Sequence, residues 1–270
     1  MGFMNTKPLA KQNSPLAKLS ILSCMLVSTL ALSSCASFHD NEIREAGIII
    51  QDPFEEQNRR VMAFNQAVDN TIIHPTVRGY RAIVPKPARS GIRNFLRNLK
   101  SPLTIANQLL QGDIEGTKNA VLRTVINTSV GFGGVFDVAG YEGIEYEQED
   151  FGQTLAVWGV EPGPYIVAPF IGPSSLRDYT GYFIDGAADP LRWYMFNIDR
   201  ELLYTGKFAA EYLDIRDSLM DTLVELEAST FDYYAATRST YYQHRAALVN
   251  DQKGTAQSTI PAIPEYDDDF

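Results

Sequence analysis

Cysteine is nearly absent from this sequence. The 270 residues contain two, Cys24 and Cys35, and both lie in or directly after an N-terminal apolar stretch. The rest of the chain can therefore form neither a disulfide framework nor a thiolate nucleophile. The three histidines are scattered singly, without the short spacings at which His, Cys and carboxylates gather around zinc. We expect no metal site and no cofactor.

Catalytic signatures are also missing. The sequence has no G-x-S-x-G elbow, no P-loop and no H-E-x-x-H motif. Ser174 and Ser175 follow a Gly-Pro pair, but no histidine in the same block could act as their base. His244 could approach from a distance, so a hydrolase stays open as an alternative. The expectation is that the protein is not an enzyme and has no catalytic residues.

Basic residues are outnumbered, with a net charge of −10, 45% hydrophobic residues and 11% aromatic residues. Three of the lysines precede Cys35, so a chain cut there would be more acidic still. This balance makes nucleic acid an unsuitable partner. The apolar content is enough for a folded core, which excludes a disordered chain.

Long apolar runs are absent beyond Cys35, so no helix of that part is expected to span a membrane. The N-terminal apolar run, 19–32, has about 14 residues where a membrane-spanning helix needs about 20. It follows a basic segment that ends at Lys18 and precedes small residues. This order is typical of a secretory signal peptide, which we assign to residues 1–34.

The end of the apolar run suggests an anchor. Leu32-Ser33-Ser34-Cys35 resembles the bacterial lipobox, in which the cysteine is acylated and becomes the new N-terminus. We expect Cys35 to carry the lipid and residues 35–51 to form a lipidated tether. An ordinary cleavage site beside a chance cysteine, and acylation at Cys24, are the alternatives. The residue after the cysteine is Ala36 and not Asp. In this the sequence resembles lipoproteins that are sorted onward to the outer membrane.

The sequence from Asp52 onward predicts a series of helices. Asp52-Pro53 is typical of a helix start, and His74-Pro75 is expected to end that first helix. A short amphipathic helix follows, with a basic face of Arg89, Arg93 and Arg97 that is either solvated or meets lipid phosphates or a partner. The apolar positions of the first helix recur at helical spacing: Phe54, Val61, Phe64, Val68 and Ile72.

Glycines and prolines divide the second half. A helix over roughly 114–126 should end at Gly131-Phe132-Gly133-Gly134, and residues 142–173 should form short helices and turns. Glu149-Asp150 is a candidate helix cap. Helical periodicity returns beyond Pro190 and reaches about Leu248. We predict one mainly α domain, residues 52–248, and a disordered acidic tail, 249–270.

Three sequence blocks resemble the MlaA (VacJ) family. They are Asp52-Pro53-Phe54-Glu55 with Asn58-Arg59, Phe64-Asn65 and Val68-Asp69; the run from Asn127 to Ala139; and Glu149-Asp150-Phe151-Gly152-Gln153-Thr154-Leu155. Further matches include Leu110-Gln111-Gly112 and the run from Gly172 to Asp178. The resemblance covers most of the chain, from Asp52 to about Leu248.

The resemblance implies a fold, a function and partners. Family members are lipoproteins anchored in the periplasmic leaflet of the Gram-negative outer membrane, with a ring-like arrangement of amphipathic helices and a central channel. They associate with outer-membrane porin trimers. The implied task is to pass mislocalised phospholipid from the outer leaflet through the channel to a periplasmic lipid carrier of the MlaC type. A structural, porin-associated lipoprotein without transport activity is the alternative.

Two groups of residues are candidates for the channel or its gate. Phe64, Asn65 and Asp69 lie on the first helix, where the alternative role is purely structural. Gly131, Gly133 and Gly134 could form a flexible joint, because glycine adopts backbone angles that other residues avoid. The alternative for these glycines is that they cap the helix and permit close packing.

Overall fold

A computed structural model describes residues 42–45 and 48–252. The helices are α1 (Glu55–Val68), α2 (His74–Ile83), α3 (Lys86–Gln111), α4 (Ile114–Ser129), α5 (Val138–Tyr141), α6 (Phe151–Val157), α7 (Leu176–Ala188), α8 (Pro190–Asn197), α9 (Glu201–Ser218), α10 (Met220–Ser229) and α11 (Tyr233–Gln252). The strands are β1 (Glu42–Glu45), β2 (Ile48–Gln51), β3 (Tyr165–Ala168) and β4 (Gly172–Ser175). The predicted mainly α class is confirmed.

The expected helix end at His74-Pro75 is wrong. A π-helical turn, Asp69–Ile73, joins α1 to α2, and Pro75 occupies the first turn of α2. A proline lacks the N–H and crowds the carbonyl four residues earlier. The wider turn accommodates this defect, because a π-turn pairs residues five apart. The chain therefore stays helical from Glu55 to Ile83.

The helix predicted after Pro87 is much longer than expected. α3 runs for 26 residues from Lys86 through an internal proline, Pro102, and ends where Gly112 adopts a left-handed φ of 80°. Asp113 then caps α4 by accepting a hydrogen bond from the Gly116 amide. α3 and α4 pack against each other along their lengths.

Both β-hairpins were missed by the sequence analysis. β1 pairs antiparallel with β2 inside the predicted tether, with Glu42 opposite Gln51, and β3 pairs antiparallel with β4, with Tyr165 opposite Ser175. Strands of four residues are too short to show alternation.

The hydrophobic core is small and rich in tyrosine. It contains Ile50, Met62, Val167 and the tyrosines 165, 234 and 242. Tyr165 is fully buried, and its ring meets that of Tyr234 edge-on with 5.9 Å between centroids. The core thus lies where β2 and β3 meet α1 and α11.

Among the residues described, no helix is long and apolar enough to cross a bilayer.

Candidate functional site

The described part of the protein has an inverted distribution of side chains. Buried polar and charged residues outnumber buried hydrophobic ones, and large hydrophobic side chains are exposed on nearly every helix. Single exposed apolar residues are normal in a soluble protein, but extensive apolar surface marks a contact with lipid or another protein. The buried arginine and aspartate side chains are held in ion pairs, as burial of charge requires.

Helix α4 shows the inversion within one element. Its buried positions are Gly116, Ala120, Arg123 and Asn127, which recur at the spacing of a core-facing stripe. Its apolar side chains point outward: Ile114, Val121, Leu122 and Val125 are 41–59% exposed. The apolar stripe that predicted this helix is therefore an outer surface rather than a core surface.

The same exposure continues on α8 and α9. Trp193 is 61% exposed, Leu202 83% and Leu203 59%. The buried side chains of α9 are instead Arg216 and Asp217. Other exposed large apolar residues are Phe95, Leu109, Leu110, Phe132, Phe136, Trp158, Phe170, Phe183, Phe208 and Ile215. We call this set, together with the outer face of α4, the apolar exterior.

An ion pair holds the glycine-rich turn after α4. Arg123 and Asn127 both donate to the Asp137 carboxylate, with N–O distances of 2.8 Å. Burial acts to raise the pKa of Asp137, but hydrogen bonds from Arg123, Asn127 and the Gly140 amide outweigh it and leave the pKa below its usual range. The turn is thereby fixed from within while Phe132 at its tip is 80% exposed.

The three candidate gate glycines differ in their surroundings. A Cβ at Gly131 would collide with the backbone oxygen of Phe136, and a Cβ at Gly134 would collide with Asn98. Gly133 has a φ of 72° with open space beside it. Gly131 and Gly134 are thus sites of close packing, whereas Gly133 supplies conformational freedom only. A gate at this turn stays a prediction.

Alanine at Gly134 should destabilise the fold more than alanine at Gly133. Both positions have positive φ, which costs an alanine about 1 kcal/mol. Only Gly134 adds a collision, and relieving it would disturb the hydrogen bond from Asn98 to the Gly133 carbonyl. Thermal unfolding of the two variants checks this order, and equal losses would contradict it.

Asp52 holds the first helix through buried hydrogen bonds rather than by capping it. The N-cap position is Phe54 and has no side-chain hydrogen bond. Asp52 is 1% exposed and accepts from Asn58 at 3.0 Å, from Tyr234 at 2.5 Å and from Arg238 at 2.6 Å. The predicted cap is wrong, because this carboxylate ties α1 to α11.

A second ion cluster ties α11 to α6 and α7. Arg245 bridges Asp150 at 2.7 Å and Asp178 at 3.0 Å. Burial opposes ionisation of Asp150, but the hydrogen bond and charge of Arg245 prevail and lower its pKa to about 2. Asp150 also caps α6 by accepting from the Gln153 amide, as the sequence predicted for this pair of acids.

The basic face of α3 is neither solvated nor free for lipid phosphates. Arg89 donates to both carboxylate oxygens of Asp217, and Arg93 donates to Asp214 at 3.2 Å. Arg97 lies over the ring of Tyr146 at 4.5 Å. Arg89 and Arg93 thus meet α9, and Arg97 meets the segment between α5 and α6, so this face is an internal packing surface.

The three candidate channel residues of the first helix make different contacts. Asn65 holds the second hairpin by donating to the Ala168 carbonyl and accepting from the Phe170 amide. Asp69 accepts two hydrogen bonds from Arg216, at 2.7 and 2.6 Å. Phe64 is 46% exposed and meets Phe170 edge-on. Asn65 and Asp69 therefore serve packing in this structure, and a channel role for any of the three stays a prediction.

Glu149 is a buried acid, with 2% of its surface exposed. Its side chain accepts a hydrogen bond of 2.8 Å from Gln111. Burial, with smaller contributions from the nearby Asp150, Glu147 and Asp113 charges, raises its pKa to about 7. The sequence analysis assigned Glu149 to a helix cap and did not predict its burial.

Replacing Glu149 by glutamine should flatten the pH dependence of stability. Between the ordinary carboxyl pKa and about 7, the folded protein keeps a proton that the unfolded chain has released. The free energy of unfolding of the parent therefore falls as pH rises through this window. At pH 8 the free energy of unfolding of Glu149→Gln should exceed that of the parent by about 1 to 3 kcal/mol. At pH 4.5 the two proteins should differ little.

Denaturant titrations at the two pH values check this result. The control is Glu145→Gln, because the Glu145 side chain is exposed. This variant should show the parent's difference in free energy of unfolding between pH 4.5 and pH 8. A Glu149→Gln variant with the parent's pH dependence would contradict a raised pKa at this site.

Comparison with known proteins assigns this helical body to a family. The sequence model of the MlaA lipoprotein family matches residues 50–248. The chain belongs to the MlaA lipoprotein family. The resemblance of the three sequence blocks is thus confirmed, and the family accounts for most of the described part of the chain.

Relatives and a solved structure agree with this family. The chain is 34% identical over 251 residues to the intermembrane phospholipid transport system lipoprotein MlaA of Escherichia coli (strain K12), covering 92% of this chain and 96% of that one. It is 37% identical over 243 residues to an uncharacterized protein of Rickettsia felis, covering 86% and 94%. A solved structure described as the structural basis for maintenance of bacterial outer membrane lipid asymmetry matches with a TM-score of 0.65 at 34% identity, over 74% of this chain and 99% of that chain.

Cys35, the expected site of acylation, lies outside the described residues, as do the signal peptide and the tail beyond Gln252. The anchor therefore stays a prediction for this member of the family.

Proposed function

We propose that this protein is an outer-membrane lipoprotein that takes mislocalised phospholipid from the outer leaflet and passes it toward the periplasm. The observation that carries the proposal is the apolar exterior around a charged interior. Soluble proteins bury their large apolar side chains, whereas a protein surrounded by acyl chains can expose them. The names of the relatives, which describe intermembrane phospholipid transport, support the same task.

The mode of membrane attachment follows from charge and helix length. No described helix reaches the length and hydropathy needed to span a bilayer. The net charge of −10 opposes binding to anionic headgroups, so attachment must be apolar. An acylated Cys35 contributes about 0.8 kcal/mol per buried methylene, and the apolar exterior adds its own area. The protein then lies within the periplasmic leaflet, held by both.

The path of the lipid is the finer part of the proposal. The helices enclose an amphipathic channel, a porin trimer holds the protein in place, and a soluble periplasmic carrier receives the lipid. The chemistry required is modest, because moving a lipid breaks no covalent bond. The buried ion pairs on α4, α6, α9 and α11 give the body the rigidity that a fixed passage needs.

Loss of the gene should raise the amount of phospholipid in the outer leaflet, and the Cys35→Ala variant should fail to restore it. Without acylation the protein loses its retention at the outer membrane, although its fold is unaffected. An outer-membrane acyltransferase or lipase reporter measures the outer-leaflet phospholipid. The parent gene and a Cys24→Ala variant, which keeps Cys35, serve as controls.

Two outcomes would contradict these assignments. An unchanged outer leaflet in the deletion strain would contradict the transport function. Full restoration by Cys35→Ala, with an unmodified cysteine in the mature parent by intact-mass spectrometry, would contradict the anchor alone.

A further inference from the structure

The joined helix α1–α2 borders an open surface depression, here called the cavity, and three of its lining side chains are hydrogen-bond donors. The cavity has a volume of about 470 Å³ and is lined by Asn70, His74, Pro75 and Arg78. Residues 70, 74 and 78 follow one another at four-residue intervals, which places them on one side of a helix.

Arg78 differs from the neighbouring arginines in its contacts. Arg81 donates to Asp217 and Asp221, and Arg89 donates to Asp217. Arg78 is exposed and forms no hydrogen bond or ion pair with any residue the structure describes. A guanidinium that the fold leaves unused, directed at a cavity, is available for a ligand.

No carboxylate among the lining residues competes for that ligand. The acid closest in sequence, Asp69, has both oxygens occupied by Arg216. The cavity therefore offers a guanidinium, an imidazole and a carboxamide, all of which can donate. Guanidinium binds a phosphate group with two parallel hydrogen bonds, which makes phosphate the best chemical match.

The backbone of this segment also departs from a regular helix. The π-helical turn Asp69–Ile73 inserts an extra residue between Asn65 and His74, and such turns are frequent at functional sites. The turn changes the direction of the side chains that follow it. Ile72 and Ile83 on the same segment are 62% and 82% exposed and lie near the opposite side of the helix from His74.

We propose that Asn70, His74 and Arg78 form a binding site for a phosphate group, either that of a phospholipid headgroup or free inorganic phosphate. The lipid form of this proposal rests on the transport function proposed above. In that form Arg78 holds the phosphodiester of the headgroup. The site would then recognise the one chemical group that all phospholipids share.

The test measures binding to the full-length protein in a neutral detergent. The probes are dihexanoyl phosphatidylethanolamine, dihexanoylglycerol, which lacks the phosphate, and inorganic phosphate alone. Arg78→Gln should weaken binding of the phosphate-bearing probe by about tenfold or more, because a charge-assisted hydrogen bond is lost. Arg78→Lys should recover part of it. The control is Arg60→Gln, which removes an exposed arginine of the same helix that is paired with Glu56.

Each outcome decides the proposal. Loss of phosphatidylethanolamine binding in Arg78→Gln, with dihexanoylglycerol unaffected, supports a headgroup site. Arg78-dependent binding of inorganic phosphate without the lipid supports the site and assigns it to free phosphate. Equal binding by the parent, Arg78→Gln and Arg60→Gln would overturn it, as would an equal loss for dihexanoylglycerol.

The result also separates this site from the transport function. If Arg78→Gln binds and restores the outer leaflet like the parent, the site is wrong and the function stands. If the parent itself leaves the outer leaflet unchanged, the function is wrong, and Arg78-dependent binding of inorganic phosphate still tests the site.

Discussion

Asp52→Ala should lower the free energy of unfolding by about 3 to 5 kcal/mol, the cost of breaking a buried ion pair from one side. The carboxylate accepts hydrogen bonds from Asn58, Tyr234 and Arg238, and its removal leaves three buried donors without it. The loss should appear as a lower denaturant midpoint. Because Asp52 ties α1 to α11, the core tyrosines should become exposed in the same transition.

The matched control is Glu56→Ala, in the first turn of α1. Glu56 pairs with Arg60 at 2.5 Å, but both side chains are more than 70% exposed. Exposed pairs contribute about 0 to 1 kcal/mol, so this variant should unfold nearly like the parent. Equal losses in Asp52→Ala and Glu56→Ala would show that the buried cluster is not what stabilises the fold.

Replacing both Leu202 and Leu203 by glutamine should weaken membrane binding of the unacylated protein by at least about tenfold. These leucines are 83% and 59% exposed at the start of α9. Burying a leucine side chain in an apolar phase contributes about 1.5 to 3 kcal/mol, and 1.4 kcal/mol corresponds to tenfold. Glutamine keeps the helix propensity, so the change acts on the surface rather than on the fold.

Co-sedimentation of the mature Cys35→Ala protein with phosphatidylcholine vesicles measures this effect. The uncharged vesicle removes contributions from the acidic net charge. Glu201→Gln with Thr205→Gln, on exposed polar positions of the same helix, is the control and should bind like the parent. If the leucine variant also binds like the parent, this part of the apolar exterior does not contact lipid.

Local signals in the sequence were enough to predict most helices. The apolar spacing of 114–126 predicted α4, the glycines after it predicted its end, and Asp150 caps α6 as expected. These features depend on neighbours within one or two turns. The wrong prediction at Pro75 shows the limit, because a π-turn can absorb a proline that would end a regular helix.

The orientation of each helix could not be predicted from the sequence. An apolar stripe marks one face of α4, but the same pattern suits a core and a membrane surface. The deciding feature is the opposite stripe, where Arg123 and Asn127 stand at buried positions. Their partner Asp137 lies ten or more residues away, and only the folded chain shows that they meet.

The packing contacts of the candidate channel residues could not be predicted from the sequence. Asn65 and Asp69 were expected at the channel, yet one secures the second hairpin and the other is paired with Arg216. Contacts separated by about a hundred residues cannot be read from spacing along one helix. Arg78, which has no partner among the described residues, was missed for the same reason, because the sequence does not show which arginines lie beside acids.

Transfer of phospholipid out of the membrane is the measurement that tests the central claim most directly. Outer-membrane vesicles containing fluorescent phospholipid are mixed with a soluble periplasmic carrier, with and without this protein in the vesicles. We predict faster transfer of the label to the carrier when the protein is present. A protein that binds its porin in those vesicles but leaves the transfer rate unchanged would be a structural lipoprotein, and the transport function would be wrong.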